Sequence, residues 1–125
     1  MTRATIAALI LLTAACHRPE KQAPQPQPQA ATTKNQRGPT LAAQYGCNVC
    51  HTIPGVDGAH GTLGPSLAKI GSQGTIATGT IPVSADVIAR YIRSPQSVYP
   101  ESAMPPVDMP EADARDLAAY LLTLK

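Results

Sequence analysis

The chain contains no phenylalanine and no tryptophan, and four tyrosines are its only aromatic residues apart from histidine. A small domain without large aromatic side chains has little apolar volume to set against the conformational entropy lost on folding. The three cysteines, Cys16, Cys47 and Cys50, do not supply staples in compensation. Cys47 and Cys50 are too close in sequence to close a useful loop, and Cys16 lies across a long polar segment. Charge is also sparse, with 14% Asp, Glu, Lys and Arg. No basic cluster with interleaved aromatics is present, so a nucleic-acid surface is excluded. A large apolar group other than the chain itself is therefore expected at its centre.

What is present divides the chain into three. Residues 1–15 carry one cation, Arg3, then an apolar run from Ala4 and small residues leading to Cys16, the layout of a secretory signal peptide. The run falls short of the ~20 apolar residues that span a bilayer. Residues 16–37 are Pro- and Gln-rich, as in APQPQPQAATTKNQ, and read as an extended linker. Its Arg18, Lys21, Lys34 and Arg37 outnumber Glu20, which suits either a tether near anionic lipid or a merely solubilising segment. Residues 38–125 hold most of the Leu, Ile and Val outside the signal and form the expected domain.

The chemistry lies in Cys47, Asn48, Val49, Cys50, His51, a CxxCH. Two thiols at this spacing can add across the two vinyl groups on one edge of a haem, and the next residue then offers an imidazole to the iron. Two other uses of these residue types fit less well. A redox dithiol wants a βαβ setting that the flanking sequence lacks. A structural zinc wants a fourth ligand, and only His60 is near. Covalent haem c, one per chain, is the expected cofactor. A second axial ligand is expected from a distant loop. Met104, Met109, His60 and His17 are the candidates. Met104 lies between Pro100 and Pro110, whose prolines stiffen the loop and can hold a thioether in place. Met109 suits packing beneath that loop, His60 a solvent-facing turn, and His17 the linker.

The fold class is all-α. A helix is expected from Pro39 to His51, with Pro39 in its first turn. Ser84 caps a second, running to Ser94 with Val87, Ile88, Tyr91 and Ile92 on one face and Pro95 as its stop. Asp108 and Glu111 resemble a capping box for a third, in which Ala114, Leu117, Ala118, Leu121 and Leu124 form a buried stripe. Glycine loops, with a turn of helix near Ser66 to Ile70 and little sign of a sheet, fill the interval. Such elements wrapped on a central group would not fold stably without it.

In order, GPTLAAQYGCNVCH, GPSL, YIRSP and SAMPP resemble class I cytochromes c, across nearly all of 38–125. The resemblance implies the small cytochrome c fold, His51 and Met104 as axial ligands, and the Pro65 carbonyl as acceptor for the His51 ring. It also implies a first helix crossing the last through Gly38 and Tyr120, with Ala42 at the position where an aromatic is usual, a departure that leaves the tightness of that crossing open. Arg90, Arg93 and Tyr99 are offered for the haem propionates. HTIPG, GTIP and AMPP followed by EADARDLAAYL look like c-type domains associated with haem-copper oxidases. LLTAAC resembles a lipobox, which would make Cys16 a lipid attachment site, although Thr13 stands where Leu is usual.

The function these features imply is single-electron transfer, not catalysis, by a monomer lipid-anchored on the periplasmic side of a bacterial membrane. By resemblance a quinol-oxidising complex is its donor and a haem-copper oxidase its acceptor. A haem-based gas sensor and an electron-transfer subunit of a periplasmic dehydrogenase are the alternatives.

Overall fold

The computed structural model describes residues 34–125. The signal and lipobox assignments, with Cys16 and His17, lie outside them. The described chain is mainly helical. It runs through α1 (Lys34–Gln44), α2 (Cys47–Cys50), a 3₁₀ turn (Ile70–Ser72), β1 (Thr75–Ile76), β2 (Ile81–Pro82), α3 (Ala85–Arg93), α4 (Pro95–Val98) and α5 (Glu111–Leu121). Among these residues no helix is long and apolar enough to cross a membrane.

The first helix differs from its expected form at both ends. It begins at Lys34, ahead of the Gly38 boundary, so Pro39 is interior to it and not in its first turn. A proline there deprives the helix of one hydrogen bond. The turn ahead of it is held from outside, because the Arg37 guanidinium donates to Asp113 at 2.8 Å and Asp116 at 2.5 Å on α5. Arg37 thus belongs to the fold and not to the charge of the linker. At the other end the helix stops before Cys47. Gly46, at φ 73°, is left-handed, a conformation glycine adopts without steric cost, and the chain restarts as α2.

The core lies where α1 and α3 pack on α5. Leu41 and Ala42 from α1, Ile88, Ala89 and Ile92 from α3, and Ala114, Leu117, Ala118, Tyr120 and Leu121 from α5 are buried. The crossing of α1 on α5, whose tightness Ala42 left open, is tight. Ala42, Ala114 and Ala118 are each 0% exposed, and Gly38 lets the Tyr120 side chain lie directly on the α1 backbone. The small residue at 42 draws the helices together.

Tyr120 also donates its hydroxyl to the carbonyl of Pro54, joining the crossing to the loop that follows His51. Tyr45 donates to Asp113 at 2.9 Å. Both phenols are raised above the ordinary tyrosine value, Tyr45 first by its hydrogen bond to Asp113 and Tyr120 by burial. A raised pKa means that the folded state holds the proton more tightly. The associated stability is fully present below the ordinary phenol value of about 10 and is lost as pH rises through the raised values. Melting temperature should therefore fall steeply above about pH 10, and Tyr45→Phe should show a shallower fall in thermal scans across that range.

Two further differences concern short elements. Ser84 caps α3 as the sequence indicates, its Oγ accepting from Val87 N at 3.2 Å. The expected Asp108 cap of α5 is absent. Pro110 occupies the N-cap, and Glu111 accepts from Arg115 instead. β1 and β2 pair antiparallel, Thr75 with Pro82 and Ile76 with Ile81, a two-stranded ribbon where no sheet was expected. The helical turn expected at Ser66 to Ile70 is displaced to Ile70–Ser72, where Gly71 N donates to the Leu124 carbonyl at 2.8 Å.

Candidate haem-binding site

α2 is a single turn whose first and last residues are Cys47 and Cys50. Three residues apart on a helix, two side chains lie on neighbouring positions of one face. Neither thiol is in a disulfide, and both are partly exposed. Burial pushes the Cys47 thiol above its ordinary value, so it is held protonated.

His51 N donates to the Cys47 carbonyl at 3.0 Å, closing the turn, and the backbone then becomes extended, at φ −115° and ψ 147°. From that position the ring reaches the next loop, with Nδ1 2.7 Å from the carbonyl oxygen of Pro65. A carbonyl only accepts, so Nδ1 carries a proton, and in the neutral ring the lone pair is then on Nε2. Gly64 makes this possible. Its amide donates to the Cys50 carbonyl at 2.8 Å, and a Cβ placed on it would lie 2.7 Å from Nδ1 and 2.9 Å from Nε2. The loop between is folded by an isolated bridge from Thr52 to His60, which leaves His60 exposed and its imidazole in solvent.

Met104 stands on the second loop and shares no hydrogen bond with the Cys47–His51 cluster. It is half-buried against the core, whereas Met109 is 3% exposed and fully part of it. The loop is fastened by groups that sequence reasoning overlooked. Gln96 Nε2 donates to the carbonyls of Ser102 and Met104, each at 2.9 Å. Tyr91, read from sequence only as part of the apolar face of its helix, places its hydroxyl 2.7 Å from Ser102 Oγ. Nothing in the local pattern marks Gln96, because its partners follow it beyond a turn of helix and a proline.

Two of the residues offered for propionates, Arg93 and Tyr99, have other partners in this structure. Arg93 Nε donates to the Met109 carbonyl at 3.1 Å, and Tyr99 donates to Glu101 at 2.9 Å. Arg90 and Arg93 line a groove of about 630 Å³ with Asp86, Asp108, Glu111 and Arg115. None of Cys47, Cys50, His51 and Met104 borders that groove, so it is not the site.

The donor set fits a covalently held haem. It offers two thiols on one face of a turn and an imidazole held by the Pro65 carbonyl, beside a core whose edge carries half-buried apolar side chains, Leu67, Ile76, Val83 and Met104 among them. Among the described residues no three His, Cys, Asp or Glu converge to hold a metal ion without such a group. The class of protein defined here is thus a helical haem protein of the c type. Residues 35–125 match the family model for Cytochrome c, and the chain belongs to that family. Comparison with curated proteins finds no match. As a family member the chain binds haem c covalently and works in electron transfer. Haem c, when bound, supplies a one-electron couple.

Proposed function

We propose that this chain carries a single haem c through Cys47 and Cys50, with His51 and Met104 as axial ligands. In this reading it passes single electrons in a bacterial respiratory chain, from a quinol-oxidising complex towards a haem-copper oxidase. The observation that carries the proposal is the 2.7 Å contact from Nδ1 of His51, the residue directly after Cys50, to the Pro65 carbonyl. It fixes the tautomer, aims the ring and raises its basicity, the arrangement expected of a permanent axial ligand. With both axial positions taken by protein no site is left for a substrate, and exchange of electrons at the haem edge is the remaining chemistry. A soft thioether opposite the imidazole favours the ferrous form and a high potential. The lipobox-like LLTAAC and the Pro/Gln-rich segment support a monomer tethered through Cys16 at the periplasmic face, with reach to a membrane partner.

The ferric protein should show the weak long-wavelength band of methionine-bound haem, and Met104→Ala should abolish it. Retention of the band in that variant would transfer the ligand to Met109. Carbon monoxide should bind the reduced wild type slowly or incompletely at neutral pH. Rapid, complete binding would favour a gas sensor over a carrier.

A further inference from the structure

Gln96 is the second residue of α4, directly after Pro95, whose side chain is among the most deeply buried of the described residues. The turn is closed by Tyr99 N donating to the Pro95 carbonyl at 2.8 Å. From this fixed base the Gln96 amide extends to two carbonyls, those of Ser102 and Met104. Both partners are acceptors only, so the NH₂ must face them, and its two hydrogens serve one carbonyl each. The opposite side of the loop is held by Ser102 Oγ, which meets the Tyr91 hydroxyl at 2.7 Å and accepts from Met104 N at 3.3 Å. Met104 is thereby gripped at both its amide and its carbonyl. Gln96 holds the carbonyl side directly and the amide side only through Ser102, which Tyr91 also holds.

We infer that Gln96 is a positioning residue for Met104, fixing the backbone from which the thioether projects and so setting how often its sulfur leaves the iron. This rests on the reading of Met104 as axial ligand. The two hydrogen bonds are exposed, and water can replace them when the amide is removed. Pro100, Pro105 and Pro106 still restrict the loop, and Val107 N still donates to the Ile92 carbonyl at 3.1 Å. Loss of Gln96 therefore frees a pivot at Met104 without unfolding the domain. Its signature is a change in ligand lability at nearly constant global stability.

The test uses the ferric haem-loaded protein and imidazole as the entering ligand, followed on every background by the shift of the main haem absorption band, with loss of the long-wavelength band as a second readout where methionine is bound. Gln96→Ala should speed imidazole entry by about fivefold to tenfold, the worth of one modest hydrogen bond once water replaces the other. Gln96→Glu, equal in length but without the donor and with a carboxylate against two carbonyls, should speed it at least as much. Melting temperature should barely move in either. On a Met104→Ala background, where the sixth position is already open, Gln96→Ala should add nothing. Unchanged entry in both Gln96 variants, with the band lost in Met104→Ala, overturns the inference alone. Equal acceleration on both backgrounds also overturns it, since Gln96 would then act elsewhere. A band that survives Met104→Ala overturns the axial assignment and this inference together.

Discussion

Gly38→Ala should destabilise the haem-loaded protein by about 3 kcal/mol or more, the upper end of what overpacking a core costs. In an unconstrained helix the same change is worth about 1 kcal/mol in the other direction, since alanine is the better helix former. Two features decide the sign. A Cβ at position 38 would lie 2.6 Å from Tyr120 Cδ1 and closer still to its Cβ and Cγ, atoms at the root of the ring that cannot rotate away. Residue 38 also precedes Pro39, where a side chain disfavours the helical conformation that glycine accepts readily. Tyr120 would have to retreat, giving up the hydrogen bond to Pro54 and opening the alanine-lined crossing of α1 on α5. A domain of this size has roughly 5–15 kcal/mol in total, so the loss is a large fraction.

Gly46→Ala is the informative companion. Nothing lies within 4 Å of a Cβ there, so the only penalty is the left-handed backbone at φ 73°, about 1–2 kcal/mol for an alanine. Guanidinium unfolding of the two variants should therefore separate a packing glycine from a conformational one. If Gly38→Ala proves the milder, the close approach of Tyr120 to α1 is not what holds the crossing together.

What the sequence made legible were the features whose partners are near in the chain. Ser84 finds Val87 three residues on, and Cys47, Cys50 and His51 announce themselves by spacing alone. Ala114, Leu117, Ala118 and Leu121 on α5 were legible because helical periodicity is local; Leu124, expected to continue the stripe, lies past the end of the helix and is only half-buried. What was not legible depends on distance or on competition. Arg37 looked like linker charge because Asp113 and Asp116 are far along the chain. The Asp108 to Glu111 pattern failed as a cap because Pro110 stands at the N-cap and Arg115 takes the Glu111 carboxylate. The β1–β2 ribbon gave no turn signal, since Ala77 at φ 49° and Thr78 at φ 61° precede Gly79 in its loop. Gln96 was invisible for the same reason as Arg37. The effect of Ala42 was open for another: a small residue can leave a gap or let two helices close, and only the packing shows that they close upon it.

Gly64→Ala should perturb the haem more than any substitution of Pro65. The partner of His51 is a backbone carbonyl, so Pro65→Ala keeps the oxygen and should leave the spectrum almost unchanged. An added Cβ at 64 would instead occupy the ring's own place, 2.7 Å from Nδ1 and nearer still to Cε1. The loop cannot easily yield, because Gly64 N is bonded to the Cys50 carbonyl at 2.8 Å and Cys50 is fixed by its own turn. The imidazole must tilt, and the 2.7 Å hydrogen bond that raises its basicity is lost. Removing such a partner typically weakens a metal–ligand bond by about 10–100-fold. A less basic imidazole supports ferric iron less well than ferrous. If the two oxidation states differ in that loss by about tenfold, the potential rises by ~59 mV for one electron. Electrochemistry of the two variants, with their ferric spectra, provides the measurement. A Gly64→Ala protein with wild-type potential and spectrum would mean that the Pro65 carbonyl does not set the orientation of His51.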